Sequence, residues 1–171
     1  MVYFAEGPGD AGYEKLLALA KSLALPGLVA VRDEGIDADS RPFFAVLRQG
    51  SPLAHVVGGR GTYEVHEALG WVAEAAAILA AVAQAGTQLP DADPQRFEVD
   101  SHGRLWLADL RGATSSDPKR AEAAHLEQLR ALCDALMVRR ASWLPPPGLL
   151  DRLGQVATLA EAHRLLVAHA G

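Results

Sequence analysis

The chain has 171 residues, of which half are hydrophobic and 22% are charged, and this composition indicates a globular protein rather than a disordered one. Its length fits one domain, or one compact domain of two small lobes. The 16 basic and 21 acidic residues give a net charge of −5, which argues against a nucleic-acid-binding surface because such a surface needs a basic stripe.

The sequence favours a soluble protein of the cytoplasm. The first residues lack the positively charged start and apolar core of a signal peptide. The longest apolar stretch, residues 71–85, is interrupted by Glu74 and Gln84, and we expect it to be too short to span a bilayer. The single cysteine, Cys133, cannot form an internal disulfide, which fits a reducing compartment. Arginine and alanine are abundant, as in the bacterial-like composition of a GC-rich genome.

The first 49 residues predict a small sheet with one helix. Asp10 is placed to cap the helix, in which apolar residues recur with a 3.6-residue period. The apolar, β-branched runs on either side predict strands, and residues 37–40 predict a turn. The predicted helix covers residues 11–24, and the predicted strands cover residues 2–5, 28–31 and 43–47.

The rest of the chain predicts mainly helices. Pro52 suits the first turn of a short helix that ends near Val57, and Thr62 is placed to cap a long helix. That long helix is apolar on nearly every side, so we expect it to be the central buried helix of this part. The further predicted helices cover residues 119–140, 149–155 and 159–168.

The segment 89–112 predicts a hairpin between two acidic residues. Asp91 precedes the hairpin and Asp109 follows it, so we expect the two carboxylates, here called the rim carboxylates, to lie at one rim. The two β-type runs and the Gly-containing turn between them cover residues 97–99, 105–107 and 100–103.

This layout resembles the segment of the protein kinase superfamily that runs from the catalytic loop to the metal-binding loop. By that resemblance, Asp91 lies at the catalytic Asp, Pro94 at the loop proline and Asp109 at the Asp that holds magnesium. The resemblance extends to four other segments. Residues 2–5 resemble the kinase strand that carries the phosphate-binding Lys, and residues 13–31 resemble the regulatory helix and the start of the next strand. Residues 41–53 resemble the strand, hinge and first short helix that join the lobes, and residues 159–167 resemble the last helix.

The resemblance implies an α+β, protein kinase-like fold of two lobes. Residues 1–49 would form a truncated N-lobe of about three strands plus one helix, and residues 50–171 a shortened, mainly helical C-lobe, together one structural unit. We expect the first two kinase strands to be missing before Val2, and we find no glycine-rich loop and no A-P-E motif.

The chain departs from the kinase pattern where a nucleotide and its metal ions would be held. Leu89-Pro90 stands in place of His-Arg, Asp93 in place of the Lys, and Leu110-Arg111 in place of Phe-Gly. Arg96 stands in place of the Asn. Because a guanidinium cannot ligate a cation, we expect Arg96 to pair with a rim carboxylate and to fill the place of the metal.

The two residues of the expected phosphate-binding ion pair are missing as well. Ala5 or Glu6 occupies the position of the Lys, and Leu16 that of the helix Glu. Phosphoryl transfer depends on positioning and charge neutralisation, so we expect no catalysis, no cofactor and no metal. Asp91, Asp109 and Arg96 would be vestigial positions.

Three hypotheses follow. The leading one is a catalytically inactive, pseudokinase-like domain that serves as a protein-interaction or regulatory module. Since uncovered strand edges invite strand addition, a protein partner or a second copy would bind at the N-lobe edge. The second is a divergent phosphotransferase that uses Asp91 and Asp109 with ATP and magnesium. The third is an α+β domain whose kinase likeness is superficial, which a hairpin apart from the long helix would favour.

Other candidate residues have simple structural interpretations beside their functional ones. The rim carboxylates could hold a metal, or could cap the loop and bond Arg96 and backbone N–H groups. No histidine lies at a zinc-binding spacing, and Cys133 is expected in the core. Ser115 and Ser116 lack a nucleophile motif and are expected to be polar residues of a loop. We expect residues 58–61 to be a linker. Residues 143–147 are either a docking motif or a segment packed against its own domain.

Overall fold

The computed structural model describes residues 1–5, 11–23, 26–59, 63–138 and 146–170. Over these residues the chain is a mixed α+β protein in which helices predominate and the sheets are small, so the predicted α+β class is confirmed. Several predicted features lie outside the described residues: Glu6, the Asp10 cap, Arg60 and Gly61, the Thr62 cap, and residues 143–145.

A three-stranded antiparallel sheet and one helix form the N-terminal part. Its elements are β1 (Val2–Phe4), α1 (Ala11–Ser22), β2 (Val31–Ile36) and β3 (Pro42–Val46). β3 is the central strand, with β1 on one side and β2 on the other. Tyr3 stacks on Phe44 with ring centroids 4.6 Å apart, and Tyr13 of α1 lies 5.6 Å from Phe44. This aromatic cluster holds the helix against the sheet.

The C-terminal part is mainly helical. Its elements are β4 (Ser51–Pro52), α2 (Leu53–Gly59), α3 (Val65–Gln84), β5 (Thr87–Gln88), β6 (Phe97–Val99), β7 (Leu105–Leu107), β8 (Thr114–Ser115), α4 (Pro118–Val138), α5 (Leu149–Gln155) and α6 (Leu159–Ala170). A 3₁₀ turn, Pro94–Arg96, precedes β6. β4, β6 and β7 form one small sheet, and β5 pairs with β8.

Helix α3 is the buried centre of this part, as predicted. Eleven of its residues are buried, and it packs against α4 and α6. Its N-cap is Glu64, whose backbone N–H donates to the Glu67 carboxylate at 2.7 Å, so the helix begins after the predicted cap, Thr62.

The helix α3 extends beyond the apolar stretch 71–85, and by length and composition it is the one helix, among the described residues, that could cross a membrane. Of the most apolar 18-residue stretch of α3, 56% is buried inside the protein. Core helices of soluble proteins can have the same length and apolar composition.

The central hairpin has the predicted bounds. Phe97 pairs with Leu107 and Val99 with Leu105 in an antiparallel ladder. Asp100 closes the turn, since its Oδ1 accepts the backbone N–H groups of His102 and Arg104 at 2.8 and 3.0 Å. Its Oδ2 accepts the Trp106 indole N–H at 3.0 Å. These bonds, the indole one above all, lower the pKa of Asp100 to about 2.

One predicted strand is wrong. Leu28 and Val29 do not belong to β2, which begins at Val31. Instead the Leu107 N–H donates to the Gly27 carbonyl, the Val29 N–H donates to the Leu107 carbonyl at 3.2 Å, and Leu28 forms a parallel bridge with Leu107. These apolar residues are buried because they join the N-terminal part to the hairpin, whereas β2 carries exposed charged residues.

Smaller corrections concern chain segments between elements. Pro52 lies in β4 rather than in α2, Gly58 and Gly59 lie in α2 rather than in a linker, and Ser115 lies in β8 rather than in a loop. Each involves a two-residue strand or a helix end, where local sequence signals are weakest.

Candidate functional site: the rim carboxylates and the connector

The loop that carries Asp91 is anchored by a buried histidine. The Leu89 backbone N–H donates to His125 Nε2 at 2.9 Å, and His125 Nδ1 lies 3.1 Å from the Leu79 carbonyl. His125 is fully buried, and burial lowers its pKa from the ordinary value. The ring is therefore neutral, with its proton on Nδ1 donated to Leu79, and α4 holds the start of the loop against α3.

Two aspartates on either side of Ala92 shape the next turn. The Asp93 N–H donates to Asp91 Oδ1 at 3.0 Å, and the Gln95 N–H donates to Asp93 Oδ1 at 2.7 Å. Pro94 supplies the fixed φ for the first position of the 3₁₀ turn. As a result Arg96 leaves the turn facing the rim.

Arg96 lies between the rim carboxylates. Its Nε donates to Asp91 Oδ1 at 2.6 Å and its Nη2 to Asp91 Oδ2 at 3.2 Å, a bidentate pair. Its Nη1 donates to the carbonyls of Arg111 at 2.9 Å and Asp109 at 3.3 Å, and lies 3.8 Å from Asp109 Oδ2. The predicted pairing of Arg96 with a rim carboxylate is confirmed.

These contacts shift the protonation of the whole group towards full ionisation. The hydrogen bonds from Arg96 lower the pKa of Asp91, and the same bonds raise the pKa of Arg96. Burial raises the pKa of Asp109, but the hydrogen bonds from the Arg111 side chain and backbone, together with the charges of Arg111 and Arg96, lower it by more, so the net shift is downward. Both carboxylates are charged near neutral pH, and each already has a cationic partner.

Asp109 is also contacted from the N-terminal sheet. Its side chain is 9% exposed, and Arg111 Nη2 donates to its Oδ2 at 2.7 Å. The Tyr3 hydroxyl of β1 donates to the Ala108 carbonyl at 2.9 Å and lies 3.4 Å from Asp109 Oδ1. Burial, followed by the charge of Asp109, raises the pKa of Tyr3, which keeps the phenol protonated as a donor. An aromatic hydroxyl therefore links sheet and rim.

A further carboxylate, which we did not predict, lies at the connector, here defined as residues 47–50 between β3 and β4. Glu98 in β6 is 2% exposed, and it accepts hydrogen bonds from Arg48 Nε and the Gln49 backbone N–H, both at 2.8 Å. The only signal in the sequence is an acidic residue at the centre of a short apolar run.

The remaining candidates have structural surroundings. Cys133 is a buried free thiol, and burial raises its pKa to about 12, so it is a core residue as expected. Ser116 donates to the Gln88 side chain at 3.3 Å. Over the described ranges, no three His, Cys, Asp or Glu side chains are grouped closely enough to hold a metal ion.

No protein-family model matches the chain, and no curated protein matches it.

At both places, charged side chains bind groups of the chain itself. At the rim, an arginine takes up carboxylate and carbonyl oxygens that a cation would otherwise use. At the connector, a carboxylate takes up two backbone N–H groups. Neither place presents an activated nucleophile or a base held beside one.

Proposed function

We propose that this chain is a kinase-like domain that does not transfer phosphate and that serves as a protein-interaction or regulatory module of the cytoplasm. The observation that carries the proposal is the position of Arg96. Its guanidinium binds one rim carboxylate through two nitrogens and lies 3.8 Å from the other. A fixed cation there repels magnesium and uses the oxygens that would ligate it.

The order of the elements supports the kinase-like part of the proposal. A strand, a helix, two strands, a connector, a short helix and a long buried helix precede the loop with Asp91, the hairpin and Asp109. The resemblance implies this order. The hairpin also lies on α3, because the Trp71 indole N–H donates to the Gly103 carbonyl at 3.0 Å. The third hypothesis, a superficial likeness, would instead be favoured by a hairpin that did not contact this helix.

The experiment that tests the proposal measures the binding of Mg-ATP through the shift that it causes in the thermal unfolding midpoint. Ligands that bind only the folded state raise its unfolding midpoint, so we expect no shift with Mg-ATP and no transfer of labelled phosphate to the protein or to a general substrate. A shift of several degrees that is lost in Asp91→Asn would contradict the proposal. It would favour the divergent phosphotransferase, for which the half-exposed carboxylate of Asp91 at 51% is the supporting observation.

The partner surface that we propose is the edge of β1. Among the described residues, β1 pairs only with β3, and its Val2 and Phe4 side chains are each 49% exposed. No residue of β1 is charged, and uncovered apolar edges invite pairing with another strand. The opposite edge, β2, carries Arg32, Asp33 and Glu34 and a register shift, which are features that discourage such pairing.

A protein partner, of which a second copy is the simplest case, would add a strand to β1. Light scattering over a range of protein concentrations tests self-association, and we expect an average mass that rises with concentration. Phe4→Lys should abolish the rise, whereas Ile36→Lys, at a 70% exposed position of β2, should not. A mass equal to that of the monomer at all concentrations would contradict self-association, and the proposed partner would then have to be a different protein.

A further inference from the structure

Glu98 is an acidic residue in a place that normally holds an apolar one. It lies at the centre of β6, between the buried Phe97 and Val99, and only 2% of it is exposed. An ionised carboxylate in such surroundings is tolerated only when hydrogen-bond donors replace the water that it loses.

The connector supplies those donors from three consecutive residues. Arg48 Nε donates to Oε1 at 2.8 Å, and the backbone N–H groups of Gln49 and Gly50 donate to Oε2 at 2.8 and 3.3 Å. One guanidinium and two backbone N–H groups therefore converge on a single carboxylate, a donor set suited to this ligand.

The backbone geometry of the site is set independently of the Glu98 side chain. A Cβ atom at Gly50 would lie 1.9 Å from the Val99 carbonyl oxygen, so only glycine allows the connector to approach β6 this closely. The approach continues as the antiparallel pairing of β4 with β6, in which Ser51 faces Val99 and Pro52 faces Glu98. The two N–H groups thus stay near the position of the carboxylate.

We propose that residues 48–50 of the connector form a carboxylate-binding site, and that Glu98 is its internal ligand. The site fastens the segment between the N-terminal sheet and the helical part to the hairpin. It also occupies the Gln49 and Gly50 N–H groups, so that these two donors are not free to bind another molecule. This inference does not depend on the proposed function, because it follows from the contacts of Glu98 alone.

Chemical rescue tests the proposal. Glu98→Ala removes the carboxylate and leaves its donors, and we expect a lower unfolding midpoint than in the wild type. Sodium formate, a free carboxylate small enough for the vacated space, should raise the midpoint of this variant above its value in sodium chloride of equal ionic strength. The wild type should respond equally to the two salts.

A matched control removes another glutamate that pairs with an arginine. Glu127→Ala removes a carboxylate that is 73% exposed and bound to Arg130, and it should respond equally to formate and chloride. A folded Glu98→Ala protein that responds equally to the two salts would overturn the proposal, since a purely structural role for Glu98 predicts no preference for a carboxylate.

If Glu98→Ala does not fold, Glu98→Gln provides the test. The amide keeps the size of the side chain but loses the charge, and with one acceptor oxygen instead of two it cannot accept from both Arg48 Nε and the backbone N–H groups of Gln49 and Gly50. We expect hydrogen exchange of the Gln49 and Gly50 amides to become about tenfold faster or more. Exchange rates equal to those of the wild type would overturn the proposal.

Discussion

The rim and the connector are filled by side chains of opposite charge. At the rim, the cation Arg96 lies among acceptors, namely the Asp91 carboxylate and two backbone carbonyls. At the connector, the anion Glu98 lies among donors. The surroundings differ too, because the Asp91 side chain is 51% exposed and that of Glu98 is 2% exposed. We infer that solvent and salt partly screen both ion pairs, since the Arg48 side chain at the connector is 52% exposed, and that the buried member is the cation at the rim and the anion at the connector.

The largest effect that we expect at the rim comes from Arg96→Ala. The substitution removes a bidentate bond to a carboxylate and two bonds to carbonyls from a side chain that is 13% exposed. Hydrogen bonds to charged groups contribute about 1.5–3 kcal/mol each when buried, and exposure of Asp91 reduces this, so we expect a loss of about 2 kcal/mol in the free energy of unfolding. Urea unfolding at low and high salt measures it.

Arg111→Ala is the matched control for that variant. Arg111 also binds a rim carboxylate, Asp109, but its own side chain is 68% exposed. Pairs of this kind contribute less, so we expect a loss of about 1 kcal/mol or below. Equal losses for the two variants would show that Arg96 is an ordinary surface cation and would contradict the central place that we give it at the rim.

The next effect is a pH dependence that affects the rim loop and not the connector. Burial lowers the pKa of His125 below its ordinary value, so the unfolded chain binds a proton near pH 6.5 where the folded protein does not. The contribution of His125 to the free energy of unfolding is complete above about pH 6.5 and is lost as the pH falls below that value. Protonation removes the acceptor for the Leu89 N–H.

Hydrogen exchange at about pH 7 and pH 5 measures this difference region by region. We expect the protection of Leu89 to fall on acidification more than that of Gln49. In His125→Gln, an amide can both accept from Leu89 and donate to Leu79 without titrating, so the difference should disappear. A fall in protection that is as large at Gln49 as at Leu89 would show that the two regions unfold together.

The smallest effect concerns the hairpin that carries Glu98 to the connector. The pKa of Asp100 is lowered to about 2, chiefly by its bond from Trp106, so its contribution is complete above about pH 4 and is lost as the pH falls towards 2. Asp100→Asn should therefore destabilise the protein modestly at neutral pH, and the loss should shrink as the pH falls towards 2. A loss that is independent of pH would assign the effect to turn geometry instead of charge.

The sequence predicted the rim better than the connector, for a physical reason. The two runs of the hairpin and the turn between them are local features, and their bounds were correct. The pairing of Arg96 was also predictable, since Asp91 lies five residues away and a guanidinium can only donate. Both inferences need little information about tertiary structure.

The features that were missed or wrong depend on contacts between distant parts of the chain. The partner of Glu98 is Arg48, 50 positions away, and nothing in an apolar run with one acidic residue identifies such a partner. Leu28 and Val29 have strand-like side chains, but they pair with Leu107 and not with the sheet. His125 occupies an apolar helix face, and its role depends on Leu89 and Leu79.

The most direct test of the central claim is a titration of ¹⁵N-labelled protein with Mg-ATP, followed by amide chemical shifts. The claim is that a kinase-like domain has filled its own ligand positions at the rim and at the connector. We predict no shift of the amides of Arg111 at the rim and Gly50 at the connector up to about 1 mM nucleotide, a concentration that detects even weak binding. Saturable shifts of both amides, with a common dissociation constant, would contradict the account.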